Sequence, residues 1–392
     1  MEHKQNVLLV HNYYQIPGGE DTVVANEMKL LQEQGHKIVF YSRNNKELKT
    51  MNKIQMLLLP FSTVFNLKTY YDIKRIIKKQ KIEIVHVHNT LNLISPSVYY
   101  AALICHVPVV QTIHNYRLLC PAATFYRDGH ICEDCITEGL GCAIQHKCYR
   151  KSKLQTLACV INTKIHRLTG IYGKINYICL TDFNKKKLLN IKQIQANKVF
   201  VKPNFVKEES LEIQNRNGYV FVGRLEEIKG VKELIQAWHC LGNDAPLLKM
   251  CGTGPLMDEC VNYVRENHID NIEILGFVEH EEVKKIIAKS KFLILPTRVY
   301  EGFPMTIIEA FSQGTPVIVP DMGNAGGLVE EGVNGFKYKT NSLDAFVQCI
   351  RKSMGADDLE KNTLEIYKNK YTDTINGELL ESIYKQVEEY VG

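Results

Sequence analysis

Short apolar runs alternate along the chain with longer segments whose apolar residues recur at helical spacing. This alternation predicts β-strands joined by helices, as in a parallel sheet with right-handed crossovers. In the N-terminal half a glycine turn at residues 15–19 leads into the first helix, residues 20–34. The predicted strands of this half cover residues 7–11, 37–41, 82–88, 108–114, 175–180 and 199–206.

A second series of the same kind follows the polar segment 207–217, which contains few apolar residues. Its predicted helices include residues 231–241 and 281–288, and its predicted strands cover residues 219–222, 247–251, 272–275, 291–296, 316–320 and 335–338. The α/β fold therefore divides into two predicted domains, residues 1–206 and 207–374. Residues 377–390 form a last amphipathic helix, which needs a surface to cover.

Composition agrees with two domains, because 392 residues exceed the size at which a single core usually stops growing. The chain is 45% apolar and 23% charged, as in ordinary soluble proteins. No signal-peptide pattern opens the sequence, and no run approaches the roughly 20 apolar residues of a membrane span. We expect a cytoplasmic protein whose twelve cysteines are thiols or metal ligands, not a disulfide framework.

The net charge of +5 conceals an asymmetry between the halves. Residues 1–200 hold 27 Lys and Arg against 13 Asp and Glu, whereas residues 201–392 hold 21 against 30. A basic half favours an acidic partner, such as nucleic acid, an anionic membrane surface or a phosphorylated acceptor. No nucleic-acid motif accompanies the basic groups, and each of them alone is more typical of a solvated helix face.

Residues 301–320 have the pattern of a phosphate-binding turn between two strands. Pro304 fits the first helical position, and Gly314 fits the helix end. Backbone N–H groups near Phe303, Met305 and Thr306 would then be free to bind a pyrophosphate, assisted by the helix dipole. Glu301 precedes this helix and Glu309 lies within it; taken alone, both are also typical of an ordinary loop acid and a surface helix acid.

Three further features stand at the carboxyl ends of predicted strands, where parallel sheets bind ligands. They are the Gly18-Gly19 pair, His88 and His114. A glycine pair alone more often marks a tight turn, so the position at the strand end is the stronger argument.

Several short motifs occur in an order that resembles the retaining glycosyltransferases of family 4. They are Pro17-Gly18-Gly19-Glu20, Gly35-His36, Val87-His88-Asn89, Pro203-Asn204, Gly223-Arg224, Lys229-Gly230, Gly252-Thr253-Gly254-Pro255, Leu275-Gly276-Phe277-Val278 and the Glu301 and Glu309 pair. The resemblance implies the GT-B fold, in which two Rossmann-like domains face a central cleft. It also implies that residues 375–392 complete the N-terminal, acceptor-binding domain and that residues 207–374 bind a nucleotide sugar.

The resemblance also implies roles for individual residues. Arg224 and Lys229 match the pair that binds the donor phosphates, Glu309 would bind the ribose, and Glu301 would lie near the reacting sugar. His114 matches the active-site histidine and would contact a sugar hydroxyl or the acceptor. The remaining donor-binding positions are Gly18, Gly19, Gly252, Gly254, Gly276, Val278, Gly302, Phe303, Pro304 and Met305.

Retention in this family is usually explained by front-face attack, in which the leaving phosphate accepts the acceptor's proton. The sequence identifies no carboxylate that would suit a double displacement. It also lacks a DxD-type pair in a suitable loop, so we expect no catalytic metal. A UDP-sugar is favoured over a GDP-sugar as donor.

A cysteine-rich insertion, residues 117–150, departs from the minimal fold and follows His114 closely. Thiolates at its spacing suit a tetrahedral structural zinc, and free thiols are the equal alternative, ahead of a disulfide or an iron–sulfur cluster. The insertion resembles a cysteine-bearing subgroup of the same family. In that subgroup's pattern Cys120, Cys132, Cys135 and Cys148 recur, which makes them the candidate zinc ligands.

The sequence thus predicts a glycosyltransferase at the inner face of the cell membrane, acting in capsule or exopolysaccharide synthesis. Its acceptor would be a lipid-pyrophosphate-linked glycan, and its membrane association would be peripheral. The alternatives are a GT-B epimerase or phosphorylase, and an inactive sugar-nucleotide-binding partner of another transferase.

Overall fold

The computed structural model describes residues 4–16, 18–207 and 215–389. The chain folds into two units. The first comprises Met1–Thr124, Glu133–Asn204 and Asn376–Gly392, and the second comprises Phe125–Cys132 and Phe205–Ile375. The short segment Phe125–Cys132 thus groups with the second unit although it precedes the last strands of the first. Most of the predicted linker, residues 208–214, lies outside the described residues.

The helices and strands of the N-terminal half alternate as the apolar pattern predicts. In chain order they are β1 (Asn6–Tyr13), α1 (Gly19–Glu33), β2 (Lys37–Asn44), α2 (Lys53–Val64), α3 (Leu67–Gln80), β3 (Ile84–Asn89), α4 (Ser97–Ile104), β4 (Val109–Ile113), β5 (Tyr126–Arg127), β6 (His130–Ile131), α5 (Asp134–Thr137), α6 (Gly141–Gln145), α7 (Lys153–Leu168), β7 (Asn176–Cys179), α8 (Asp182–Leu188) and β8 (Val199–Val201).

The sheet of the first unit has the strand order β2-β1-β3-β4-β7-β8, and its neighbours pair in parallel. Strands β3 and β4 are buried along their whole length, as expected of a parallel sheet covered on both faces. Strand β8 is shorter than predicted. Lys202 N–H still donates to Cys179 O, but the following Pro203 has no N–H with which to continue the ladder.

The C-terminal half repeats the alternation. Its elements are β9 (Tyr219–Val222), α9 (Val231–Leu241), β10 (Leu248–Cys251), α10 (Met257–Glu266), β11 (Ile272–Gly276), α11 (His280–Lys289), β12 (Phe292–Ile294), α12 (Met305–Ser312), β13 (Val317–Pro320), α13 (Gly323–Gly327), β14 (Gly335–Tyr338), α14 (Leu343–Met354), α15 (Leu359–Lys370) and α16 (Asp373–Glu389).

The second sheet has the order β11-β10-β9-β12-β13-β14 and is also parallel. In its core, Trp238 of α9 packs edge-on against Tyr219 and donates its indole N–H to Pro246 O at 2.7 Å. The two parallel sheets confirm the predicted α/β class. The hairpin of β5 and β6 is antiparallel and separate from both sheets.

The C-terminal helix α16 covers the first sheet. Leu380, Ile383, Tyr384 and Val387 are buried in one core with residues of β1, β3, β4 and β7. The helix thus has the apolar surface that the sequence required, and its expected return to the N-terminal domain is confirmed. It begins at Asp373, earlier than predicted, while the predicted last residue, Tyr390, lies outside the described residues.

Helices α2, α3 and α7 were not predicted. Helix α2 is apolar on most sides and contains Pro60, so its sequence lacks the polar face that makes a helical period visible. In the part of the chain that the structure describes, none of the helices has the length and apolar character needed to span a membrane.

Candidate active site

A cavity of about 290 Å³ opens at the carboxyl ends of β9, β10 and β11 in the second unit. Its walls include the predicted donor-binding residues Arg224, Gly252 and Val278, together with Thr253 and the exposed ring of Phe277. Carboxyl ends of parallel strands are the usual ligand-binding edge of such sheets. The structure therefore brings these predicted residues together at one edge, whereas Glu301 and Glu309 do not line this cavity.

The glycines of the loop after β10 are explained by backbone packing. A Cβ at Gly252, where φ is +141°, would overlap the carbonyl of Gly223, and one at Gly254 would overlap that of Leu225. Leu225 N–H donates to Thr253 O at 3.0 Å, which ties the loops after β9 and β10 together. Sequence reasoning assigned these glycines to the donor, and the structure gives them this additional structural role.

Lys229 and Glu301 form an ion pair. Lys229 Nζ lies 2.7 Å from Glu301 Oε1, and both side chains are largely buried. Lys229 ends a 3₁₀ helix, and Gly230 then adopts φ +68° so close to the Pro296 carbonyl that a Cβ would overlap it. Arg224 differs: its side chain is 57% exposed, and its guanidinium lies 3.7 Å from Glu226. The lysine is therefore held by a short, largely buried ion pair, whereas the arginine is mostly exposed and has only a longer approach to Glu226.

The loop that carries Glu301 is fixed by a residue that sequence reasoning missed. Asn324 of α13 is buried, and its amide donates to Glu301 O at 2.6 Å and to Gly302 O at 2.7 Å. A polar residue just after strand β13, at the ligand-binding edge, was the available indication. Asn324 determines the course of the main chain at Glu301 and Gly302.

Helix α12 begins at Met305, and Pro304 is its N-cap. The sequence pattern predicts Pro304 one position later, as the first residue of the helix, and that prediction is wrong. The difference leaves the N–H groups of Met305 and Thr306 ahead of the first bond of the helix, from Ile307 N–H to Pro304 O. Phe303 turns inward and packs against the core.

Glu309 is not an ordinary surface acid. Burial in α12 raises the pKa of its carboxyl, and the basic side chains of His280 and Lys284 on α11 oppose that rise. A carboxyl with a raised pKa near basic side chains is common at functional sites and also in structural ion-pair networks. The binding role of Glu309 therefore stays a prediction.

In the first unit, four histidines lie along β1, β3 and the end of β4. His88 Nδ1 lies 2.9 Å from His114 Nε2, and the two rings stack. His11 Nε2 lies 2.8 Å from Asp21 Oδ1. Burial lowers the pKa of His114 well below its ordinary value, lowers that of His11 to about 4 and that of His86 to about 3, so these rings are neutral near pH 7.

A buried ion pair supports these histidines. Glu27 Oε2 accepts from Lys202 Nζ at 2.9 Å, and Lys202 also donates to Asn376 of α16 at 2.8 Å. The carboxylate oxygens of Glu27 and the ring nitrogens of His86 and His88 lie within 4.8 Å of one another, which suits a metal geometrically. The ammonium of Lys202 already neutralises the charge of the Glu27 carboxylate, so no metal ion is needed to balance that charge.

The Gly18-Gly19 turn opens helix α1; Pro17 of the same motif lies outside the described residues. Gly18 has an extended backbone, and a Cβ there would meet no described atom within 4 Å, so packing within the fold does not require glycine. The side chain of Glu20, the residue after this pair, is 10% exposed, and its partial burial raises the pKa of the carboxyl to about 8. Tyr14 OH donates to Glu20 at 3.1 Å.

The cysteine-rich insertion is divided between the two units. Cys120 is buried, and Cys135 and Cys148 pack against a small core of Leu140, Ala143 and Val160 in the first unit. Cys132 belongs to the segment that groups with the second unit. The zinc site therefore stays a prediction.

Two family models match the chain. The model described as Glycosyl transferases group 1 matches residues 204–370, and the one described as Glycosyltransferase Family 4 matches residues 17–131. The chain belongs to the family 4 type of glycosyltransferases. The resemblance drawn from the motifs is thereby confirmed.

Two curated relatives of this chain are likewise named as glycosyltransferases. An uncharacterized glycosyltransferase of Methanocaldococcus jannaschii, MJ1178, is 31% identical over 47% of this chain and 51% of its own length. The UDP-Gal:alpha-D-GlcNAc-diphosphoundecaprenol alpha-1,3-galactosyltransferase of Escherichia coli is 25% identical over 81% of this chain and 76% of its own. The chain spans about half the length of the first curated relatives it matches.

Solved structures show the same fold. A glycosyltransferase from Rickettsia africae ESF-5 superposes with a TM-score of 0.70 at 18% identity, over 98% of this chain and 99% of its own. Anabaena Alr3699/HepE, solved in complex with UDP and glucose, gives 0.66 at 15% identity, over 97% and 100%. The glycosyltransferase-family chain has the α/β GT-B fold, as its motifs implied.

Proposed function

We propose that the protein is a retaining glycosyltransferase that transfers a sugar from a nucleotide-diphosphate sugar to a glycan acceptor. The observation that carries this proposal is the group formed by Lys229, Glu301 and Asn324 at the ligand-binding edge of the second sheet. One cation and one carboxylate are held at 2.7 Å there, on a loop whose main chain a buried amide fixes. A fixed cation beside a helix start suits a leaving diphosphate.

The chemistry requires such groups because negative charge grows on the diphosphate as the bond to the sugar breaks. Preorganised cations and N–H donors stabilise that charge without reorganising at the moment of reaction. Lys229 and Arg224 supply the cations, and Met305 and Thr306 at the start of α12 supply the donors. The leaving phosphate accepts the acceptor's proton in a front-face reaction, so no catalytic metal is needed.

The donor that we favour is a UDP-sugar, bound in the cavity beside Arg224 and Val278 with its ribose at Glu309. Two comparisons support this choice. The Anabaena structure contains UDP and glucose, and the E. coli relative is named for a UDP-Gal donor. Both are separate proteins, and their ligands serve here as precedents.

The acceptor that we favour is a lipid-pyrophosphate-linked glycan of a cell-surface polysaccharide, with His114 near the reacting groups. The name of the E. coli relative includes a diphosphoundecaprenol-linked sugar. The excess of Lys and Arg in residues 1–200 suits a pyrophosphate at an anionic membrane.

Helices α2 and α7 support a peripheral membrane role at the inner face of the cell membrane. They adjoin where the His166 ring lies 2.9 Å from Val64 O, and neither contains Asp or Glu. Large apolar side chains are exposed on both, led by Leu57, Phe61, Leu154 and Leu168 at 73–87% exposure. Exposed lysines accompany them, and apolar residues beside lysines are the pattern of a surface-bound helix.

The activity is tested by release of the nucleoside diphosphate from UDP-, GDP- and ADP-sugars. Lys229→Met should lower kcat/KM by about 10²–10³-fold, as loss of one charge-stabilising donor does. Lys232→Met is the matched control, because Lys232 of α9 is an exposed cation that is paired with the exposed Glu259 of α10. A wild-type protein that cleaves none of these donors would favour the inactive binding partner.

The membrane role is tested by sedimentation with vesicles that contain anionic lipid. The double variant Leu57→Gln and Phe61→Gln should remain in the supernatant, while Val261→Gln, which alters an exposed apolar residue of α10, should sediment like wild type. Equal sedimentation of both variants would contradict a role for α2.

A further inference from the structure

His88 lies between a buried carboxylate and His114. Its Nε2 atom is 3.3 Å from Glu27 Oε1, and its Nδ1 atom is 2.9 Å from His114 Nε2. The side chains of Glu27 and His88 are at most 1% exposed. A hydrogen bond between them therefore uses a proton carried by one of these two side chains and not a bulk water molecule. This places Glu27, His88 and His114 in one row.

The positions of the protons in this row follow from what each atom can do. Glu27 is ionised: burial opposes its charge, but the ammonium of Lys202 at 2.9 Å holds the pKa of the carboxyl well below its ordinary value. A carboxylate only accepts hydrogen bonds, and a neutral imidazole carries one N–H. If His88 carried its proton on Nδ1, two lone pairs would face each other across 3.3 Å at Glu27.

The other neighbour of the same oxygen is His86, and it has closer partners. Its Nδ1 lies 2.7 Å from Tyr384 OH, and its Nε2 lies 2.7 Å from Thr112 Oγ1. Because a hydroxyl group can donate or accept a hydrogen bond, these two partners suit His86 whether its proton is on Nδ1 or on Nε2. Among the described residues neither His88 Nε2 nor Glu27 Oε1 has a hydrogen bond to any other group, so the 3.3 Å approach of these two atoms determines where the His88 proton lies.

We propose that Glu27 and His88 are positioning residues that hold His114 in the Nε2–H form and leave its Nδ1 as a hydrogen-bond acceptor. His88 gives its Nε2–H toward Glu27 and accepts through Nδ1 the Nε2–H of His114. No atom changes oxidation state and no proton leaves the row. The inference rests on the proposed function for its use, because His114 would accept a hydroxyl of the sugar or acceptor.

The surroundings of His114 suit such a contact. His114 is half-buried and lines a cavity of about 80 Å³ together with His88, Gln111, Asn115 and Arg117. A cavity of this size has room for a hydroxyl group or a water molecule. In such a site the form of the ring decides whether it accepts or donates.

The test is the nitrogen NMR spectrum of the full chain with ¹⁵N-labelled histidine, in which loss of a signal in His114→Gln assigns His114. We expect the Nε2–H form in wild type. In Glu27→Gln the new amide can donate to His88 Nε2, so His114 should change to the Nδ1–H form. His86→Gln is the matched control, because it alters the same buried cluster outside the row and should leave His114 unchanged.

An Nδ1–H form of His114 in wild type overturns the proposal, and so does an unchanged form in folded Glu27→Gln. The wild-type spectrum decides even if that variant does not fold. Kinetics then test the positioning role: a fall in kcat of about 10-fold to 100-fold at nearly constant KM is expected for Glu27→Gln. An altered ring with unchanged kcat refutes the positioning role, whereas absence of any donor cleavage in wild type refutes the proposed function and not the ring assignment.

Discussion

Replacing Lys202 by Met tests the buried ion pair on which the histidine row depends. Lys202 and Glu27 are each 1% exposed and 2.9 Å apart, and Asn376 takes a second ammonium hydrogen. Methionine keeps most of the volume of the side chain but removes its charge. The variant therefore leaves Glu27 as a buried carboxylate without its cation.

The expected cost follows from burial. Removing one partner of a buried pair costs about 3–5 kcal/mol, because the remaining charge is uncompensated. For a unit of roughly 200 residues, each kcal/mol lowers the Tm by about 2–4 °C, so the Tm should fall by about 6–20 °C. Lys4→Met is the matched control: its 2.7 Å pair with Glu381 is partly exposed and should cost about 0–1 kcal/mol.

The assay is thermal unfolding followed by circular dichroism across a pH series. In wild type the pKa of Glu27 is depressed, so its ionised form stabilises the fold at neutral pH, and that contribution disappears as pH falls through the depressed value. Without Lys202 burial raises this pKa, so the deficit of Lys202→Met should shrink as the pH is lowered from about 8 to about 5. A Tm loss no larger than that of Lys4→Met, or one independent of pH, would refute the reasoning.

Two further predictions concern other parts of the chain. Gly252→Ala should destabilise the second unit by about 1–3 kcal/mol, because the new methyl group meets the Gly223 carbonyl at a left-handed φ. Gly327→Ala, whose Cβ would meet no described atom within 4 Å, should change stability by less than about 1 kcal/mol. Urea unfolding followed by Trp238 fluorescence checks both, and equal midpoints would contradict the packing account. Glu20, with its pKa raised to about 8 by burial, stabilises the fold when protonated, and this contribution is lost between about pH 4.5 and 8. Glu20→Gln should therefore gain Tm relative to wild type as pH rises through that window, and parallel Tm curves would show that Glu20 is not buried as described.

The local pattern was sufficient for the elements that carry the site. Strand ends at His88 and His114, the turn at Gly18 and the helix start near Pro304 all follow from runs of neighbouring residues. Such features are set by hydrophobic periodicity and by backbone preferences over a few residues. The motif order likewise indicated the family, which the family models show.

Helix α2 shows where the local pattern was not sufficient. Its residues 53–64 lack a polar face, so no period distinguishes them from a loop. The exposed Leu57 and Phe61 became recognisable as a surface only once the structure showed that nothing described covers them. Exposure depends on neighbours distant in sequence, and a sequence pattern does not contain them.

The sequence by itself determined two β/α series, the loop at Glu301 with the helix that follows it, and the family. Only the tertiary structure decided which side chains support the site: Lys202 reaches Glu27 across 175 residues, and Asn324 holds the main chain of Glu301. The reason is physical. Apolar periodicity is written in each segment, whereas the partner of a buried charge or amide is chosen by the packing of separate elements in three dimensions.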